Sequence, residues 1–217
     1  MSQEIIKLML QGIEETFYMV AVATVIGGII GIPLGITLVT TSKGHILENR
    51  FINQILGTIV NIIRSIPFII LMVAIIPLTR LIAGTSIGTT AACVPLTIVA
   101  LPFLSRLVET SNRDVDFGLV EAAESMGATP FQIIRKVLIP EALPTIINNI
   151  TVLIVNLIGA SAMAGAIGGG GLGDIAIRYG YQRFRPDVML ATIIILIVVV
   201  NVIQAGGDFA SRKKNKK

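Results

Sequence analysis

The sequence predicts an all-α fold, a polytopic membrane helix bundle with about five spanning helices. Three observations predict it. The chain is 53% apolar and only 14% charged, with a mean hydropathy of +0.85. Its Asp, Glu, Lys and Arg side chains are bunched, leaving empty the stretches Glu15–Lys43, Arg80–Arg106, Glu141–Asp174 and Asp187–Asp208. Each gap holds about 20 residues or more, enough for a helix to cross a hydrocarbon core of roughly 30 Å. The apolar runs do not alternate as barrel strands do. In lipid every backbone polar group needs an internal partner, so the helix bundle is the solution left. A length of 217 residues fits one domain covering 1–217.

The first span is expected over 16–41. Its Gly27, Gly31 and Gly35 recur every four residues and share one helical face, where small side chains let another backbone approach closely. Pro33 should kink this helix. The run is too long for a cleaved leader, and the acidic Glu4, Glu14 and Glu15 precede it instead of a basic segment. The second span, 57–79, holds Arg64, Pro67 and Pro77. The prolines should break it into segments. Arg64 would cost about 2.5 kcal/mol or more at the bilayer centre, so it is expected nearer the cytoplasmic end, facing a cavity, a neighbouring helix or lipid headgroups. The third span, 86–106, carries Cys93, the single cysteine, which excludes a disulfide within the chain.

A connection of about 37 residues, 107–143, follows. Asp116 suits an N-cap before a helix over 117–126, and Gly127 suits its C′ position. Thr129-Pro130 is a second start signal. That second helix should end before Pro140, with Pro144 opening the fourth span, 144–166. The connection keeps apolar residues such as Met126, Phe131 and Ile134, beside Glu121 and Glu124. Loops of this length commonly have a function. The acidic pair opposes binding to anionic lipid, which favours docking on a protein partner.

The fourth span is the most polar. Asn149, Leu153, Asn156, Ala160 and Met163 form one stripe, with Ser161 beside it. Two readings stay open for this stripe: hydrogen bonds between helices, or a lined substrate path with Asn149, Asn156, Ser161 and Met163 as candidates. Gly168, Gly170 and Gly173 formally satisfy G-x-G-x-x-G, but that pattern binds dinucleotides only after a strand, and here a membrane helix precedes it. A flexible or tightly packed connection is expected instead. The fifth span covers 188–207, and the basic tail RKKNKK closes the chain.

With five spans the two ends lie on opposite sides, and Lys and Arg divide twelve to five between them. The excess places the N-terminus outside, and the tail and the 107–143 loop in the cytoplasm. The basic tail reads as a topology anchor, with no role for nucleic acid. There is no G-x-x-x-x-G-K-[ST] for ATP, no metal-spaced Cys/His cluster, and His45 is the only histidine. Enzymatic activity from this chain is therefore not expected.

Glu121-Ala122-Ala123, then Gly127, then Val137-Leu138-Ile139-Pro140 resembles the EAA loop of ABC-importer permeases, E-A-A, three residues, G, nine residues, I-x-L-P. Val137 and Ile139 are conservative departures from it. RSIPFIIL, PLTR, GTSIG and SAMAGAIGGGGLG extend the resemblance over nearly the whole chain, to the permease subunit of methionine importers. The resemblance implies a type I ABC-importer permease fold in a bacterial inner membrane. It implies a coupling role for Glu121, Ala122, Ala123, Gly127, Ala128, Thr129, Pro130 and Pro140. It also implies a homodimer, two cytoplasmic ATPase subunits that carry the ATP and Mg²⁺, and an external lipid-anchored methionine-binding protein. The chain itself is expected to bind no cofactor. Another small amino acid or polar solute remains open as cargo. A stand-alone ion-coupled carrier would keep ionisable groups within its spans, where only Arg64 qualifies.

Overall fold

The computed structural model describes residues 3–214, so Lys216 and Lys217 of the basic tail lie outside the described residues. Among the described residues there is no strand. Helix α1 runs Gln3–Thr40, 38 residues without a break at Pro33. It starts well before the expected 16. Ile5, Met9, Gly12 and Thr16 continue the buried stripe of the span, so one helix face is packed along its whole length while Glu4 and Glu14 stay outside. Helix α2, Arg50–Ser65, is capped by the Asn49 side chain, which accepts from the Ile52 amide. At Ile66-Pro67 the chain turns by 101° into α3, Phe68–Ala74. Helix α4, Ile76–Ala83, takes Pro77 in its first turn. The second span is thus a broken one, as its prolines predict.

Helix α5, Thr89–Arg113, is the centre of the bundle. Its Leu96, Ala100, Leu104 and Val108 are fully buried against Met19 and Ala23 of α1 and against Leu153 and Leu157. The α1 glycines make this possible. A Cβ on Gly27 would stand 2.8 Å from the Ala100 Cβ, and one on Gly35 would stand 2.5 Å from the Ser105 carbonyl. Helix α6 covers Phe117–Ser125 and α7 covers Pro130–Ile133.

The expected stop before Pro140 does not occur. Five residues of π-helix, Ile134–Leu138, carry α7 directly into α8, Ile139–Ala166, so 37 residues from Pro130 form one rod. The amide of Ile139 bonds to the carbonyl of Ile134, five residues back. In an unbroken α-helix Pro140 lacks the donor for the Lys136 carbonyl and its ring presses on it. The wider π turn accommodates that conflict, and helix continuity survives. Pro144 then lies inside α8 and does not open it.

The glycine-rich connection is tightly packed. Gly168, Gly170 and Gly171 have φ of +90°, +79° and +76°. Glu15 accepts from the Gly171 amide at 2.7 Å, and Thr16 accepts from the Leu172 amide at 2.9 Å. Helix α9, Gly171–Ile175, and a second π stretch, Ala176–Tyr181, lead to α10, Pro186–Lys214. Among the described residues four helices are long and apolar enough to cross a membrane, and five spans result if the bent pair α2–α3 counts as one.

Candidate coupling surface and translocation path

Helices α6 and α7 are joined by backbone geometry. Asp116 caps α6 by accepting from the Gly118 amide at 2.9 Å. At the other end the Gly127 amide donates to Glu124 and the Ala128 amide to Ala123, with Gly127 at φ +77°. This is a Schellman closure, which needs a left-handed residue at that position. Thr129 and Gln132 then form a capping box: Gln132 Oε1 accepts from the Thr129 amide at 2.9 Å, and Thr129 Oγ1 accepts from the Gln132 amide at 3.4 Å.

The eight residues nominated for coupling divide into two sets. Ala123 is buried with Val120, Ile133 and Leu138 in a cluster that anchors the helix pair, and Ala128 packs against its edge. Glu121, Ala122, Gly127, Thr129, Pro130 and Pro140 are exposed. Beside them stand two exposed apolar side chains, Met126 at 82% and Phe131 at 68%. Sequence reasoning counted both as part of an apolar face without nominating either. Their signal was position, since they flank the Gly127 turn. The arrangement is a rigid, apolar-tipped protrusion, the form expected of a docking element.

The α1–α2 connection supports this protrusion. The His45 ring meets Phe117 edge-on, with centroids 6.0 Å apart. Burial holds the His45 pKa below its ordinary value, an effect opposed by the Glu124 carboxylate and assisted by Arg113. Glu109, buried on α5, accepts from Arg106 at 2.6 Å and Arg113 at 2.7 Å, and fixes the end of α5 below α6.

The four path candidates are dispersed. Asn149 donates from Nδ2 to the Ser111 hydroxyl at 2.7 Å and to the Leu107 carbonyl at 3.2 Å, which ties α8 to α5. Ser161 is buried and donates to the Ile158 carbonyl within its own helix. Asn156 and Met163 are exposed on a face of α8 that also carries Thr145, Asn148, Val152 and Gly159. Asn156 further lines a cavity of about 220 Å³ with Arg64 of α2 and Val99, Pro102 and Phe103 of α5. Arg64 thus lies level with the middle of α5 and α8. Helix α2 adds a feature not read from the sequence: Gln54, Thr58, Asn61 and Ser65 recur at helical spacing and are all exposed. The expected start of that span at 57 divided this stripe.

A broken-span helix bundle with a capped, protruding helix pair defines a membrane component of a transport system. Residues 27–214 match the family described as binding-protein-dependent transport system inner membrane component, and the chain belongs to that family. It is similar to the "Probable D-methionine transport system permease protein MetI" of Vibrio cholerae, 58% identical over 206 residues that cover 95% of this chain and 92% of that one. The protein of that name from Pasteurella multocida is 49% identical, with 92% of each chain covered. Among solved structures, a chain of "Inward facing conformations of the MetNI methionine ABC transporter" superposes with a TM-score of 0.98 at 46% identity, covering 100% of both chains. A chain of an amino acid ABC transporter with histidines shares the fold, with a TM-score of 0.76 at 23% identity and 95% and 94% of the chains covered.

Proposed function

We propose that this chain is the membrane-spanning permease subunit of an ATP-driven importer that moves methionine into the cytoplasm. The observation that carries the coupling half is the exposed α6–α7 protrusion, continuous through the π stretch with α8. Similarity to relatives named for methionine transport carries the cargo. Two copies of the chain form the path, each docked through Glu121, Ala122, Gly127, Met126 and Phe131 on an ATPase subunit that binds ATP and Mg²⁺. An external lipid-anchored binding protein delivers the amino acid. The N-terminus lies outside and the α6–α7 protrusion in the cytoplasm, in agreement with the excess of Lys and Arg on that side.

The continuous rod explains how force travels. A displacement of Phe131 at the tip is transmitted to α8, because the helix runs without a break from Pro130 to Ala166. Closure of the ATPase pair moves both protrusions and tilts the exposed face of α8 that carries Asn156 and Met163. Access to the path then switches from one side of the membrane to the other.

The test is affinity purification of the chain from its native membrane in mild detergent, with mass spectrometry of its companions. Equimolar ATPase together with a lipoprotein whose bound ligand is methionine is the expected result. Recovery of the chain alone, under conditions that preserve other complexes, refutes the coupling role. A different ligand on the lipoprotein refutes the cargo.

A further inference from the structure

We propose that Arg64, assisted by Asn156, is the station on the translocation path that receives the carboxylate of the amino acid in transit. The inference rests on the importer reading and adds a substrate-contacting residue to it.

Three observations meet at this side chain. Arg64 sits fourteen residues into α2, about 21 Å from Arg50 along the helix. Its cavity neighbours Pro102, Phe103 and Asn156 lie near the middle of α5 and α8. An uncompensated cation within a spanning helix is costly. Next, none of the salt bridges among the described residues includes Arg64, and its helix α2 carries no carboxylate that could pair with it. The side chain is exposed towards the cavity, so its planar donor fork is free for a carboxylate. Finally, the exposed Gln54, Thr58, Asn61 and Ser65 run along α2 and end beside Arg64. A polar stripe on a membrane helix faces protein or water, because lipid offers it no partner. It marks the wet side of α2, and Arg64 stands on the flank of this side, about 90° round the helix from the stripe and one turn beyond Asn61. A space of about 220 Å³ suits the head of a small zwitterion better than a large ligand. Asn156 supplies both a donor and an acceptor, and so completes the site for a carboxylate next to an ammonium group.

The first test is uptake of radiolabelled methionine by proteoliposomes holding the permease, its ATPase and the binding protein. No ATP-dependent uptake by the wild type overturns the importer reading itself, whatever Arg64 does. Where the wild type transports, Arg64→Gln is expected to lower uptake about tenfold, the effect of losing one charge-assisted pair. Arg64→Lys keeps the charge without the fork and should restore part of it. Wild-type uptake by Arg64→Gln overturns the proposal.

A second measurement separates substrate contact from a structural or lipid role. Cys93 is the only cysteine, so Ile63→Cys in a Cys93→Ser background places a single reactive thiol at the cavity wall. Methionine should slow its modification, methioninamide should not, and Arg64→Gln should abolish the protection. Equal protection by both compounds, none by methionine, or protection that survives Arg64→Gln overturns the proposal. A modification rate that follows anionic lipid content in place of methionine assigns Arg64 to a headgroup and overturns it equally.

Discussion

The Ala128 amide donates to the Ala123 carbonyl across 3.1 Å, with Gly127 between them at φ +77°. This bond sets the angle between α6 and α7 together with the buried cluster of Val120, Ala123, Ile133 and Leu138. It also ties the buried third residue of Glu121-Ala122-Ala123 to the start of the rod that becomes α8.

Gly127 is therefore the sensitive position. Nothing lies within 4 Å of a Cβ built there, so space is not the constraint. The left-handed backbone is, and an L side chain costs about 1–2 kcal/mol in it. Gly127→Ala should weaken ATPase association modestly, and Gly127→Asn less, since Asn tolerates this region. Gly127→Pro cannot reach the φ and loses its bond to Glu124. Its chain should insert in the membrane yet fail to retain the ATPase on purification, and uptake should cease. Glu121→Arg, on the exposed face, should reduce association without altering helix content by circular dichroism.

His45 gives the protrusion a pH dependence. Burial lowers its folded pKa below the 6.5 of the free side chain, so the unfolded chain takes up the proton first as pH falls. Its contribution is fully present above about pH 6.5 and is lost as pH falls towards the folded value. Thermal midpoints of wild type and His45→Gln, measured from pH 8 to 5, should differ by a constant amount at the alkaline end. The wild type should lose ground below about pH 6.5. A constant difference throughout would show that the ring does not stay neutral in the fold.

Much of this arrangement was legible in the residues, and the failures have physical causes. Asp116, Gly127 and Thr129-Pro130 announced α6 and α7 because caps are local chemistry, decided within four residues. The glycine ladder of α1 announced a close helix neighbour but not which one, since any long helix with Ala100-like small residues would serve. The run from Pro130 to Ala166 was misread because Pro140 and Pro144 are strong stop signals in an α-helix. The π turn at 134–138 that absorbs Pro140 has no sequence signature of its own. The α2 stripe was missed because hydropathy sets a span's edges by its apolar run, and half of α2 is polar.

The packing of α1 on α5 offers a matched pair of substitutions. A Cβ at Gly35 meets the Ser105 carbonyl at 2.5 Å and the Val108 Cβ at 2.7 Å, both on the rigid backbone side of α5. Gly35→Ala must push the helices apart, with a loss of about 1–3 kcal/mol. Gly28, one residue after the Gly27 contact, has nothing within 4 Å of such a Cβ. Gly28→Ala should be neutral or slightly stabilising, because alanine restricts the unfolded chain more than glycine does. Thermal unfolding in detergent distinguishes the two, and equal midpoints would count against the α1–α5 contact as drawn.

The two asparagines of α8 should part company under mutation. Asn149 spends its amide on Ser111 and Leu107 of α5, and Ser111 also donates to the Leu107 carbonyl at 2.9 Å. Asn149→Ala therefore removes a helix–helix tie while leaving Leu107 satisfied. A loss of about 1 kcal/mol follows from the usual worth of such bonds in membranes. Its transport per folded molecule should remain near wild type. Asn156 makes no such tie, is exposed, and shares its cavity with Arg64. Asn156→Ala should leave the unfolding midpoint unchanged and lower uptake of methionine, with a higher apparent KM. Measuring midpoint and uptake on both variants in one preparation gives four numbers. If Asn156→Ala lost stability and kept its uptake, the exposed face of α8 would be a helix contact and the path would have to run elsewhere.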